Sequence, residues 1–319
     1  MEAPMAQPLT QAPAGGQTFL NMPLVTDLEA LDADIAVLGI PYGVPYDMEG
    51  VTGGSSAAPG AIRTRSLAFG TGRFLEHYDF DHGGPLLGKR PPRIVDCGDV
   101  RADPLDIPGN ASRATSAVRA ILERGAMPIV LGGDDSIPIP FFRAYEGRDP
   151  LVLVQIDAHL DFRDEVNGVR EGYSSPIRRA SEMPWIESIV QIGMRGVGSA
   201  RPAEVEAALA NGNRIVPARD VHAHGIDWLV EQVPADAHYL VTIDFDGFDP
   251  SVAPGVGAPV PGGLLFHQVA GLLQGLAARG RVAGIDLVEY VPDQDVNDLT
   301  ALVGARLLTN LIGAVARQQ

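Results

Sequence analysis

Cationic side chains are scarce in this chain. Against 24 Lys and Arg stand 40 Asp and Glu in 319 residues, a formal net charge of −16. Such a surface repels nucleic acid and anionic lipid at long range, so neither is expected as a partner, and small molecules remain. Cysteine is nearly absent. Cys97 stands alone, so no intrachain disulfide can form, which fits a reducing compartment. No apolar run approaches the roughly 20 residues needed to cross a bilayer. The opening stretch MEAPMAQPLTQAPAGG has no basic region followed by an apolar one, so no secretory leader is expected. Repeats and shifts of composition are missing too. The expectation is a soluble cytoplasmic protein with a loose arm over residues 1–16 and a single domain over 17–319.

Turn-forming residues are abundant, with Gly 37 and Pro 26. Eight short apolar runs, rich in β-branched residues, recur between them: 34–40, 93–100, 127–132, 151–156, 188–193, 214–218, 238–243 and 281–287. Each has the length of a strand buried on both faces. Helical periods over 112–124, 203–210, 266–279 and 299–315 separate most of them. Strand and helix alternating to the end predict a three-layer α/β/α domain with a mainly parallel central sheet. Two long loops, 42–66 and 69–93, read as functional or entrance-forming segments.

In parallel sheets ligands bind beyond the carboxyl ends of the strands, and there the acids gather. Gly132-Gly133-Asp134-Asp135-Ser136 follows one strand, and Asp157-Ala158-His159-Leu160-Asp161 a second. Asp244-Phe245-Asp246-Gly247-Phe248-Asp249-Pro250 follows a third, and Glu289 a fourth. The i, i+2, i+4 spacing of Asp157, His159 and Asp161 predicts that in extended chain they point one way, as do Asp244 and Asp246. If the strands are neighbours, five carboxylates converge. Two like charges at 4 Å repel by about 4 kcal/mol at an effective dielectric of 20. Five together need cations or protons. Oxygen donors with one imidazole suit ions of the manganese kind, and two such ions would make a hydroxide nucleophile near neutral pH.

These stretches resemble the ureohydrolase family of arginases, agmatinases and guanidinobutyrases. GGDDS (132–136), DAHLD (157–161) and DFDGFDP (244–250) are similar to its motifs GGDHS, DAHxD and DxDxxDP. APGVGAPVPGGL (253–264), GIDLVEYVP (284–292) and PGAIR (59–63) extend the likeness over about residues 34–315. The resemblance implies an arginase-like α/β/α fold, a binuclear metal site and a homo-oligomer, trimer or hexamer. Its reaction would be hydrolysis of a guanidino group, releasing urea and an amine. By position, Asp157 and Asp244 would bridge two divalent ions, Mn²⁺ first and Ni²⁺ second. Asp135 and Asp161 would complete one ion, and His159 and Asp246 the other. Glu289 would hold the guanidinium. Asp134 and Asp249 would orient ligands from behind.

The chain departs from the family pattern at three places. Asp135 stands where a histidine is usual, so five carboxylates leave two M²⁺ ions with a net −1, which raises the pKa of a bound water. Tyr173, in EGYSSP (171–176), takes the place of a proton-shuttling histidine, and a phenol near pKa 10 shuttles poorly at neutral pH. His222, His224 and His267 are candidates to replace it. Ala258 stands in place of a threonine.

Substrate choice rests on the rim at 162–172. There Arg163 and Arg170 would grip a carboxylate tail. Asp164, Glu165 and Glu171 would favour a cationic one. Tyr42, Tyr46, Met48 and Tyr173 would wall an apolar pocket for an alkyl guanidine. Two other readings compete. One is a catalytically weak or inactive subunit paired with an active paralogue in a hetero-oligomer. The other is a deacetylase-like zinc enzyme, which would need neither the second Asp-x-Asp nor Glu289.

Overall fold

The computed structural model describes residues 8–44, 46, 54–70 and 74–318. Its strands are β1 (Thr10–Gln11), β2 (Ile35–Gly39), β3 (Tyr78–Asp79), β4 (Gly84–Pro85), β5 (Ile94–Val100) and β6 (Met127–Leu131). There follow β7 (Leu151–Ile156), β8 (Ile186–Ile192), β9 (Arg214–Val216), β10 (His238–Asp244) and β11 (Arg281–Val288). The helices are α1 (Ala58–Gly70), α2 (Ile107–Glu123), α3 (Pro138–Arg143) and α4 (Pro176–Ala180). The chain closes with α5 (Pro202–Ala210), α6 (Ala218–Glu231), α7 (Phe266–Arg279) and α8 (Leu299–Ala316).

Nine of the described strands form one sheet in the order β1-β5-β2-β6-β11-β10-β7-β8-β9. All neighbours run parallel except β1, which pairs antiparallel with β5. Alternation along the strands feeds two cores. Ile35, Val37, Val152 and Val154 join the layer of α1, α6, α7 and α8. Ala36, Leu38, Leu151 and Leu153 join that of α2, α3, α4 and α5. Both faces of each inner strand are thus covered, which is why these runs read as apolar throughout. Leu299–Ala316 has the length and apolarity of a membrane-crossing helix, but 78% of it is buried inside the protein. It is a core helix.

Two sequence expectations need correction. Within the loose arm expected at 1–16, of which residues 1–7 lie outside the described residues, Thr10 and Gln11 pair with Val100 and Asp99, and the buried Thr10 hydroxyl donates to the Thr26 carbonyl at 2.9 Å. The segment is too short to show a period. The expected loop at 42–66 also contains most of α1. That helix lacks an apolar stripe because Arg63 and Ser66 share its buried face with Ile62. The Arg63 guanidinium meets Asp96 at 2.8 Å and Asp99 at 2.5 Å on β5.

Candidate active site

The four acid-bearing strands β6, β11, β10 and β7 are consecutive in the sheet. All are parallel, so their carboxyl ends open on one edge, and the acids meet there. The local route differs from the extended chain expected. Asp157 Oδ1 accepts the His159 amide at 2.5 Å, and Asp161 has φ +45°. Asp244 Oδ1 accepts the Asp246 amide at 2.7 Å over the single turn Phe245–Gly247. Aspartates close such turns with their own side chains. The turns, rather than a two-residue alternation, aim these groups at one point. Gly247 is required where the turns touch, since a Cβ there would lie 2.8 Å from the Asp157 nitrogen.

Two triads of donor atoms each fall within 4.8 Å: Asp157, His159 and Asp246, and Asp135, Asp157 and Asp244. Asp157, fully buried, belongs to both. His159 Nδ1 lies 2.9 Å from Asp246 and 3.5 Å from Asp157. Asp246 is held from its other side by the Ala158 amide at 3.0 Å. Asp161 lies outside the triads but next to both, with Gln155 Nε2 donating to it at 3.0 Å and to Asp157 at 2.8 Å.

Electrostatics marks the place as one that needs positive charge. Burial, then the Asp161 charge, pushes Asp157 up to about 8. Burial first and neighbouring carboxylates second raise Asp135 and Asp244 well above the ordinary range. Burial takes Asp246 to about 6. Hydrogen bonds to Asp157 and Asp246 lift His159 to about 11. Asp135 Oδ2 is buried without a hydrogen-bond partner among the described residues. A buried carboxylate oxygen left this way wants a cation. The donor set, oxygens with one imidazole, fits hard divalent ions.

The triads open into a cavity of about 710 Å³, a size that encloses a small ligand. Glu289 lines it, with φ +62° and Oε1 accepting the Asp135 amide at 2.7 Å. Burial, then the Asp134 charge, pushes Glu289 up to about 8. Tyr173 also lines the cavity, its ring 4.4 Å from that of Tyr46. Tyr42 is buried away from the lining, and Met48 lies outside the described residues. Of the rim charges only Arg163 lines the cavity, 3.5 Å from Glu204. Arg170 is paired with Asp164 at 2.9 Å and Glu171 with Arg143 at 2.5 Å, so these are tied up among themselves. Glu165 is exposed outside the lining.

None of the three spare histidines reaches the cavity. His222 Nε2 lies 3.0 Å from the Gly263 carbonyl, His224 stacks on Trp228, and His267 is exposed. Asp134 and Asp249 brace loops rather than ligand side chains. Asp134 accepts the amides of Val44 and Ser136, and Asp249 those of Ser251, Gly262 and Gly263. Sequence reading missed Arg195, whose guanidinium donates to the carbonyls of Asp246 and Val260 at 2.6 Å and of Phe248 at 3.0 Å. Backbone acceptors leave no trace in a motif. Gln155 and Glu204 were missed as well. For Gln155 the signal was present: it is the one polar residue in LVLVQI.

A model of the arginase family matches residues 33–313. The chain belongs to the arginase family. It is 32% identical to a mitochondrial agmatinase of Gallus gallus over 312 residues, covering 94% of this chain and 86% of that relative. It is also 32% identical to a guanidinopropionase of Pseudomonas aeruginosa, covering 95% and 92%. The structure of proclavaminate amidino hydrolase from Streptomyces clavuligerus superposes with a TM-score of 0.80 at 27% identity, covering 97% and 100%. The fold is arginase-like, and the protein is a hydrolase of amidine C–N bonds in guanidino compounds. Arginase-family enzymes depend on a binuclear metal centre, and this chain has two Asp/His clusters that could hold metal ions.

Proposed function

We propose that this chain hydrolyses a small guanidino acid to urea and an amine, using two divalent ions, Mn²⁺ by preference. The carrying observation is the double membership of Asp157 in two donor triads at the cavity floor. Asp135 and Asp244 would serve one ion with Asp157, and Asp161 stands beside them. His159 and Asp246 would serve the other. Bound there, the ions supply Lewis acidity and lower the pKa of a bound water.

The chain's own groups do the rest. Glu289 faces the substrate as a carboxylate acceptor for guanidinium N–H groups, a charge-assisted bond of the strong kind. The Asp135 amide fixes its carboxylate in place. Among the described lining residues Arg163 is the one arginine or lysine, which favours a substrate with a carboxylate tail. Glu204 beside it tempers that charge and supports agmatine as the second choice. Tyr173 and Tyr46 pack ring to ring at the cavity wall, a surface for the alkyl part of the substrate.

The test is a urea-release screen over guanidino acids, agmatine, arginine and alkyl guanidines, each with Mn²⁺, Ni²⁺ and Zn²⁺. Turnover should be highest for a guanidino acid with Mn²⁺, and Arg163→Met should raise KM for that acid more than for agmatine. A metal-loaded protein that releases urea from none of them would favour the reading as a subunit for an active paralogue, which the aspartate at 135 and the tyrosine at 173 motivate.

A further inference from the structure

A polar row crosses the sheet at β7 and β8, next to the site. Gln155 on β7 lies opposite Thr242 on β10 and Gln191 on β8. Thr242 turns the other way and donates to Asp286 at 2.7 Å. On the β8 side the row continues as a chain of amides. Gln191 Nε2 donates to Gln155 Oε1 at 2.7 Å and to the Leu160 carbonyl at 2.8 Å. Asn213 Nδ2 donates to Gln191 Oε1 at 2.9 Å, and Asn211 Nδ2 to Asn213 Oδ1 at 2.8 Å. Gln155 and Gln191 are essentially inaccessible.

The direction of this chain is dictated from its inner end. As metal ligands both carboxylates are ionised and only accept, so Gln155 must turn its NH₂ group toward Asp157 and Asp161. Its carbonyl then faces Gln191, which must present its own NH₂, and the same logic passes to Asn213. With both N–H bonds made, a single neutral amide bridges two carboxylates that repel each other. A flipped Gln155 would leave two carboxylates facing a carbonyl oxygen, and the Gln191 amide prevents the flip.

We propose that Gln155 is a positioning residue for the two-ion site. Its amide holds Asp157 and Asp161 at the spacing the ions need, and Gln191 and Asn213 lock the way it faces. The inference rests on the metal reading of the site and assigns a role outside the ligand set. Outer partners of this kind are typically worth about 10–100-fold in metal affinity.

The experiment is a calorimetric Mn²⁺ titration of the metal-free full chain and three variants. Gln155→Met keeps the length and loses both donors. Gln155→Glu keeps the shape and also loses them. Gln191→Met leaves Gln155 in place but frees it to flip. Mn²⁺ affinity should fall about 10–100-fold in both Gln155 variants, with a smaller loss in Gln191→Met. Wild-type affinity in either Gln155 variant overturns the proposal. If Gln155→Met does not fold, Gln191→Met decides, and undiminished affinity there overturns it equally. A parent chain that binds no Mn²⁺ sinks the metal reading and this role together, whereas equal affinity in parent and variants sinks this role alone.

Discussion

Two clusters of buried aspartates lie on the same sheet, and they differ in where their positive charge comes from. On β5, Asp96 and Asp99 close around Arg63. Arg63 reaches Asp96 with two nitrogens, at 2.8 and 3.0 Å, and the Gly98 carbonyl with a third bond at 2.9 Å. That cluster is complete within the chain. At the carboxyl ends of β6, β7, β10 and β11, five aspartates and Glu289 converge, and among the described residues His159 is the cationic side chain that pairs with their carboxylates. The first arrangement fixes α1 to the sheet. The second is left short of positive charge and opens on a cavity. What separates the two clusters is the balance of charge and the access: one arginine answers two acids in the first, and one histidine faces six at an open cavity in the second.

Removing the built-in cation has the largest expected effect on stability. Arg63→Met leaves two buried carboxylates uncompensated and should cost about 3–5 kcal/mol in urea unfolding. Added Mn²⁺ should not restore it, because those carboxylates are closed away from the cavity. Full rescue by Mn²⁺ would erase the distinction between the clusters.

The acid-rich rim should instead respond to pH and metal together. Its shifts are upward: Asp157 to about 8, Asp246 to about 6 and Glu289 to about 8. A raised carboxylate favours the protonated native state. Its contribution is full below the ordinary carboxylate range near 4 and is lost as pH climbs through the raised value. His159, raised to about 11, acts with the same sign. The metal-free rim therefore loses stability between about pH 4 and 8. Ligands must also be deprotonated to bind metal. The gain in Tm on adding Mn²⁺ should grow from pH 5 to pH 8, by scanning calorimetry. A gain that is flat over that range would contradict the electrostatic account. Asp135→His, which removes one negative charge, should shift the acidic limb of the pH–rate profile to lower pH. The smallest effect is expected at the wall. Tyr173→His should change kcat within about tenfold and move its pH optimum. An unmoved profile would place the proton transfer elsewhere.

Much of this contrast was legible in the residues. The eight apolar runs matched the long strands within a few residues, because burial on both faces removes polar positions from the pattern. The acids after four of those runs are the ones that meet at the candidate site. Two kinds of feature stayed hidden. Helix α1 was concealed because its buried face carries Arg63, whose partners lie more than 30 positions away on β5. The aim of the acids was reached for the wrong local reason, since side-chain-to-backbone turns at Asp157 and Asp244 replace the extended chain assumed. Arg195 serves carbonyl oxygens, which every residue offers, so nothing in its neighbours marks it.

Metal analysis of the purified chain and of Asp157→Ala bears most directly on the central claim. Dialysed against Mn²⁺, the parent should hold close to two ions per chain. The variant should hold close to none and release urea only at background, because one carboxylate serves both positions. A parent with no bound metal, or an Asp157→Ala chain that keeps both ions and full turnover, would contradict the account.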